Sequence, residues 1–405
     1  MHSRFLISAL AIVVAASSFA QGTKDPKQVL QDINAYGEQL QKQAAPMTRP
    51  QMEAAIKSKA KEELAGVDVT KIDPKDGFAW AQIYQMAGED KTTCDLTHAY
   101  IKTNPTAKEK FDAQMLMMES CNNLGEGTML DATLRDARAT SPDDASNLSE
   151  SAIYEFADTV AASEGPLKAA KLMEQMDRNL PAAPSTTKGN ENLRDEDLHL
   201  GLKTEQAELL AYAGKKNDGL KILDKFGATL PTNSRLLRTF KSDRDRVALI
   251  GTAGPELKAD KTIGDFTSLG DLKGKVVMLD YFAHWCPPCR ASFPDESAMY
   301  GDLKDKGLQI VGVTQFYRYY FKENREKRDM KPDVEFSRMG DFVKQYNITW
   351  PVIFNDGVDS KEYGVGPIPQ VVLIDKKGVV RDIEIGYVPA NFSRFRAKVE
   401  ELLKE

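Results

Sequence analysis

Two cysteines three positions apart, Cys286 and Cys289, are the residues of this chain best placed to do chemistry. They sit in His284-Trp285-Cys286-Pro287-Pro288-Cys289-Arg290. An apolar run from Val276 to Ala283 precedes them and reads as a buried strand, and a helical pattern follows from about Pro288 to Lys304. A C-x-x-C at a strand-to-helix junction is a redox motif. Cys286 would stand at the helix N-terminus, where unpaired N–H groups and the helix dipole stabilise a thiolate. A lowered thiol pKa makes such a residue the better nucleophile near neutral pH. Cys289, on the first turn, can close a disulfide with it. Proline is tolerated at a helix start because its missing N–H is an orphan there. Pro287 and Pro288 nevertheless remove donors that would have stabilised the thiolate. His284 would favour the thiolate when protonated; the alternative is a solvated loop side chain. A zinc site needs about four ligands, which this pair without a second pair or a His cluster does not supply, so no metal and no cofactor is expected.

The elements that position the pair follow from periodicity. From about Gly251, short β-rich runs alternate with helical ones. Strands are expected at Val276–Ala283, Leu308–Gln315, Pro351–Asn355, Gln370–Asp375 and Arg381–Tyr387, with helices near Pro288–Lys304, Met339–Tyr346 and Asn391–Leu403. Alternation of this kind indicates a small α/β domain over 251–405. The segment Phe316 to Glu335 reads as an insertion, holding Phe316, Tyr317, Tyr319, Tyr320 and Phe321 followed by mixed charge. It is either a charged surface helix whose aromatic stripe packs home or a segment that shapes partner docking.

Residues 21–250 read instead as an α-helical domain. Apolar residues recur three and four apart, and Pro and Gly cut the chain into helical lengths. Phe78–Thr103 and Thr204–Leu230 read as helix hairpins, and the second resembles a tetratricopeptide-type unit. Leu180 to Asn192 reads as a loop. Cys94 and Cys121 fall on neighbouring helices whose antiparallel packing would bring them side by side as a structural disulfide, contributing roughly 3 kcal/mol in the chain-entropy model. The alternative is two buried thiols acting as small apolar residues.

With these pieces in place, residues from about Asp265 to Leu403 resemble the TlpA/ResA-type branch of the thioredoxin-like family. The matching stretches are Leu272-Lys273-Gly274-Lys275-Val276-Val277, Trp285 through Arg290, Phe293-Pro294, Tyr363 through Pro369, and Val371 through Gly378. The resemblance implies a thiol–disulfide oxidoreductase acting on protein thiols and disulfides. Cys286 would attack the substrate and Cys289 would resolve the mixed disulfide. Pro369 would be the family's cis-proline, with Ile368 presenting backbone groups to a bound peptide and Trp285 forming part of the docking surface. Asp280, six residues before Cys286, matches the buried acid of thioredoxin proper; burial should raise its pKa and make it a workable base. One departure stands out: several members carry Glu three positions after the second cysteine, where this chain has Ser292.

The resemblance and the C-P-P-C pair favour a reductase supplied with electrons by a membrane or periplasmic donor. Oxidation and isomerisation are the alternatives, since related potentials span about −270 to −120 mV. A peroxiredoxin would need Thr where Ala283 stands. A copper chaperone of the related type would need C-x-x-x-C and a distal His. A different reading makes the helical half a binding or scaffold module served by the redox domain.

The first twenty residues read as a cleavable leader. Met1–Arg4 is basic, Phe5–Ala16 is apolar, and Ser18-Phe19-Ala20 offers a cleavage triplet. The expected location is the periplasm or outside the cell, where disulfides persist, with no stable membrane insertion after cleavage. A net charge of −6 points away from nucleic acid.

Overall fold

The computed structural model describes residues 24–42, 47, 49–180, 191–355 and 357–405. The leader and most of the loop expected after Leu180 lie outside the described residues. The chain falls into two compact units, one up to Asn104 and one from Pro105 onward.

The first unit is helical: α1 Pro26–Gln41, α2 Arg49–Leu64, α3 Gly77–Met86 and α4 Asp90–Ile101. Pro26 opens α1 where no N–H is needed, and the Asp25 carboxylate accepts from the Lys27 N–H at 3.0 Å. Val29, Ile33 and Leu40, spaced by four and seven, form the buried stripe of α1. The α3–α4 hairpin stands where Phe78–Thr103 was expected, and Cys94 is buried on α4.

The second unit begins with helices α5 Ala107–Leu124, α6 Gly127–Asp136, α7 Pro142–Ser151, α8 Ala157–Glu164, α9 Pro166–Asn179, α10 Glu191–Tyr212, α11 Lys216–Gly227 and α12 Leu236–Leu249. Thr106 and Glu109 close a reciprocal capping box at the start of α5, which carries the buried Cys121. In the α10–α11 hairpin the helices approach closely: a Cβ on Gly219 would lie 2.6 Å from the Ala207 carbonyl oxygen.

The remainder is β1 Lys261–Ile263, β2 Val276–Tyr281, α13 Pro287–Leu303, β3 Leu308–Gln315, α14 Pro332–Gln345, β4 Val352–Asn355, α15 Val358–Glu362, β5 Gln370–Ile374, β6 Val380–Ile385 and α16 Pro389–Lys404. The strands form one sheet in the order β1-β4-β3-β2-β5-β6. β2, β3 and β4 run parallel, and β1, β5 and β6 pair antiparallel with their neighbours. The five expected strands are present within a residue or two at their ends. β1, three residues long, is too short to show a period in sequence.

Every residue of β2, β4 and β5 is buried, so the sheet must be covered on both faces. Val276, Met278 and Phe282 join one core with Phe293 of α13, Phe342 of α14 and Val399 of α16. Val277, Leu279 and Tyr281 join the other with Leu200, Ala207, Leu223 and Val247 from α10, α11 and α12. The change at residues 250–251 is therefore one of secondary structure inside a shared core. Full burial of each such aliphatic side chain contributes about 1.5–3 kcal/mol.

Two polar devices accompany this second cover. The Tyr212 hydroxyl accepts from the Ile383 N–H at 3.3 Å and lies 3.4 Å from the Ile383 carbonyl oxygen, occupying backbone groups of the edge strand β6. Arg246 on α12, 3% exposed, pairs with Asp243 at 2.9 Å and Glu208 of α10 at 3.2 Å.

Candidate active site

Alternation along β2 decides which side chains reach the helix that follows it. Val276, Met278 and Phe282 point toward α13, so Asp280 points the same way. The chain then turns through Ala283–Trp285, and Cys286 caps α13. Its sulfur receives the Cys289 N–H at 3.2 Å, a donation from the first helical turn that stabilises negative charge on that sulfur. Cys286 and Cys289 are joined in a disulfide with Cα atoms 5.4 Å apart, and both are buried.

Ile368 and Pro369 come to the same place from the far side of the domain. The Ile368–Pro369 peptide is cis. The Ile368 carbonyl oxygen lies 3.6 Å from Cys286 Sγ. The loop leading there is held by α12: Gly364 has φ +58°, and a Cβ on it would lie 2.7 Å from the Ser242 carbonyl oxygen. Trp285 is 38% exposed beside the disulfide, its ring edge-to-face with Tyr317 at 5.5 Å. The structure thus brings Cys286, Cys289, Asp280, Trp285, Ile368 and Pro369 into one neighbourhood.

Asp280 is fully buried, and neither carboxylate oxygen has a hydrogen-bond partner among the described residues. Burial, and then the charge of Glu296, hold its carboxyl well above the ordinary range. At position 292, where several members of the family carry Glu, this chain has Ser, and an acid stands one turn on. Ser292 is buried and donates to the Cys289 carbonyl oxygen at 2.9 Å, and Glu296 lies 2% exposed on the same inward side of α13. Burial pushes the Glu296 carboxyl up to about 7, although Ser292 hydrogen bonding pulls it down. The reading of the sequence missed Glu296. The signal was its spacing: seven residues from Cys289 is two helical turns on the same face.

His284 corrects both of its expected roles. It is 1% exposed, and burial pushes it down to about 4, so it is neutral at pH 7 and places no positive charge beside the thiolate. Its Nδ1 accepts from the Phe321 N–H at 3.2 Å. Rings of Tyr317, Tyr319, Tyr320 and Phe321 enclose it, with centroids 5.2–5.5 Å away.

The 316–331 segment is correspondingly no surface helix. Five aromatic residues in six positions cannot all face inward from a helix. The chain instead follows an irregular path with left-handed φ at Arg318, Phe321, Asn324 and Arg328, and α14 begins only at Pro332. Glu335 of α14 anchors the path by accepting from the N–H groups of Tyr317 and Arg318, each at 2.8 Å.

The buried neutral His284 has a consequence for acid stability. Between pH 6.5 and 4 the unfolded chain binds a proton at this residue and the folded chain does not, so stability rises with pH there. The contribution is fully present above 6.5 and is lost as pH falls toward 4, amounting to about 3 kcal/mol. Urea unfolding of wild type and His284→Gln at pH 7 and pH 4.5 should show a smaller acid loss in the variant. Equal losses would contradict the assignment.

Comparison with known proteins gives a consistent picture. The AhpC/TSA family matches residues 250–383. Thiol-disulfide oxidoreductase ResA of Bacillus thuringiensis is 31% identical over 152 residues, covering 37% of this chain and 78% of that protein. The thioredoxin-like protein YneN of Bacillus subtilis is 29% identical over 136 residues, covering 34% of this chain and 71% of its own. Among solved structures, a thiol:disulfide interchange protein of the thioredoxin family from Chlorobium tepidum is similar at 25% identity, with a TM-score of 0.30. That likeness covers 38% of this chain and 97% of the other.

Proposed function

We propose, for a chain that belongs through its C-terminal third to the ResA-type thiol–disulfide oxidoreductases of the thioredoxin-like family, that Cys286 and Cys289 form the working dithiol–disulfide couple and reduce disulfides of protein substrates outside the cytoplasm. The observation that carries this is the oxidised pair at the start of α13, with Cys286 Sγ 3.6 Å from the Ile368 carbonyl oxygen.

In the reduced protein the Cys286 thiolate attacks one sulfur of the substrate disulfide. An S–S bond forms between protein and substrate, and the other substrate sulfur leaves as a thiolate that takes a proton. Cys289 then loses its proton to the buried acid at Asp280 and attacks Cys286 Sγ. The internal disulfide closes, and the second substrate sulfur leaves as a thiolate that takes a proton from water. Two electrons have moved from protein to substrate. A membrane or periplasmic donor returns them. Trp285, Ile368 and Pro369 form the surface on which an extended substrate segment lies, Ile368 through backbone groups presented by the cis bond to Pro369 and Trp285 through its exposed ring.

Export is supported by the leader-like residues 1–20. Among the described residues no helix is long and apolar enough to cross a membrane. The Cys94–Cys121 disulfide belongs to the same reading. Non-reducing peptide mapping without a Cys94–Cys121 linkage would remove it.

The test of direction is the reduction potential of the full chain, equilibrated in dithiothreitol or glutathione buffers. Alkylation and mass mapping of the Cys286/Cys289 peptide give the reduced fraction. A value near or below about −220 mV is expected for a reductase. A value between about −180 and −120 mV would redirect the reading to isomerisation or oxidation. No reversible two-electron transition would remove it.

A further inference from the structure

The mechanism above sends the Cys289 proton to Asp280, which has nowhere to pass it. Asp280 is fully buried, and both its oxygens lack a hydrogen-bond partner among the described residues. Re-reduction of the disulfide gives a proton back to Cys289; until then Asp280 keeps the one it accepted unless a second group carries it to solvent.

Glu296 is the group that meets both the interior and the outside. It projects from the side of α13 that faces the sheet, the side Asp280 faces from β2. The two carboxyls are near enough for the charge on one to oppose ionisation of the other. Glu296 Oε2, like the Asp280 oxygens, has no hydrogen-bond partner among the described residues. A buried polar group left this way costs about 1–3 kcal/mol, so packing alone gives no reason for a carboxyl here.

A cavity of about 60 Å³ supplies the other half. Its wall includes Ser292, Glu296, Met278 and Pro369, and it reaches Tyr154 of the π-turn before α8, which is 55% exposed. Asp280 is not on that wall. Glu296 therefore stands between the buried acid and a cavity that runs to the surface beside the cis-proline.

We propose that Glu296 relays the resolving proton, taking it from Asp280 and delivering it to solvent through the cavity beside Pro369. The inference rests on the Cys286/Cys289 reading above. No electrons are involved in the relay. One proton leaves the Cys289 thiol, passes through two carboxyls in turn and reaches water, while the Cys289 sulfur keeps the electron pair that forms the new S–S bond. Glu296 acts through Asp280 and touches no reacting atom.

The groups facing Glu296 set its titration. Asp280 faces it from β2, and Asp295 adjoins it on α13. Glu384 of β6, Tyr387 after β6 and Asp158 of α8 line the same cavity. Lys398 of α16 pairs with Glu384 at 2.7 Å and with Asp382 at 2.8 Å, so its charge is already committed to other carboxylates. Burial, with a smaller push from the charge of Asp295, keeps Glu296 protonated until about pH 7. Relay needs the ionised form, so resolution should accelerate as pH rises through that point.

The test is stopped-flow reaction of the reduced full-length protein with a chromogenic aromatic disulfide, from pH 5.5 to 9. The first equivalent of aromatic thiol reports attack by Cys286, and the second reports resolution by Cys289. In wild type the second phase should accelerate with an inflection near pH 7. In Glu296→Gln that inflection should vanish and resolution at pH 8 should slow about tenfold or more, while the first phase changes by less than about twofold. An unchanged second phase in the variant overturns the proposal. Ser292→Ala provides the second arm if Glu296→Gln fails to fold. It removes the Ser292 hydroxyl beside the Glu296 carboxyl and should shift the inflection; an unmoved inflection also overturns the relay. A missing first phase in wild type would instead sink the Cys286 reading on which the relay depends.

Discussion

Cys286→Ser should lower disulfide reduction by at least about 10³-fold, and Cys289→Ser should accumulate a mixed disulfide with substrate. The first expectation follows from position. Cys286 is the sulfur at the N-terminus of α13, receiving the Cys289 N–H and lying beside the Ile368 carbonyl oxygen. Serine keeps the geometry, but an alkoxide is far less available than a thiolate near neutral pH. The second follows from the order of events. With Cys289 replaced, Cys286 can still attack, and nothing at the first turn of the helix can release the substrate. Cys94 and Cys121 are buried on other helices, so neither should substitute. Non-reducing electrophoresis after incubation with an oxidised protein substrate, with insulin turbidity as the rate assay, checks both. Residual activity above about 1% in Cys286→Ser, or no trapped species in Cys289→Ser, would exchange or remove the assigned roles.

Arg246→Ala should destabilise the second unit by about 3–5 kcal/mol at pH 8. Arg246 is 3% exposed and answers two carboxylates, Asp243 and Glu208. Burial already pushes Glu208 up to about 7, more than the guanidinium pulls it down. Without Arg246 the Glu208 carboxyl would hold its proton to still higher pH. The folded variant then binds a proton that the unfolded chain, titrating near 4.5, has released, so its stability falls as pH rises through this range. The deficit against wild type should therefore widen between pH 6 and pH 8.5. Arg246→Met, which keeps the stem's packing, should recover part of it at pH 6. Urea midpoints at the two pH values provide the check, and a deficit below about 1 kcal/mol at both would show that the cluster contributes little. The same variant tests whether helices before residue 250 support the redox site. α12 also backs the Gly364–Pro369 loop, with the Arg246 N–H group 2.8 Å from where a Cβ on Gly364 would sit. Slower reduction at a pH where the protein stays folded would show that coupling.

What could be read along the chain was whatever has a local cause. Strands β2, β4 and β5 announced themselves because a strand buried on both faces must be largely apolar, as Val276–Tyr281 is at every position but Asp280. The start of α13 was legible from Cys-Pro-Pro-Cys, since proline suits only the first turn and cysteine there gains from the exposed N–H groups. Asp280 was legible as a buried acid because it interrupts an apolar run. Pro369 was legible only through the surrounding stretch that resembles a known family, and the local residues alone would read as an ordinary turn.

The rest depends on which surfaces meet, and periodicity carries no record of that. Helices α10–α12 show an apolar face, but nothing in their spacing says that it covers Val277, Leu279 and Tyr281 rather than another helix. His284 reads as a polar loop residue until the 316–321 segment folds over it and excludes water. Glu296 reads as a surface glutamate until α13 settles with Cys289, Ser292 and Glu296 all turned toward the sheet, which places its carboxyl opposite Asp280. By itself the sequence determined the chemistry available, two cysteines at a helix start behind a buried strand. The tertiary structure decided which acids are buried beside them and what supports the loop that faces them, because burial and charge proximity arise only when segments distant in sequence pack together.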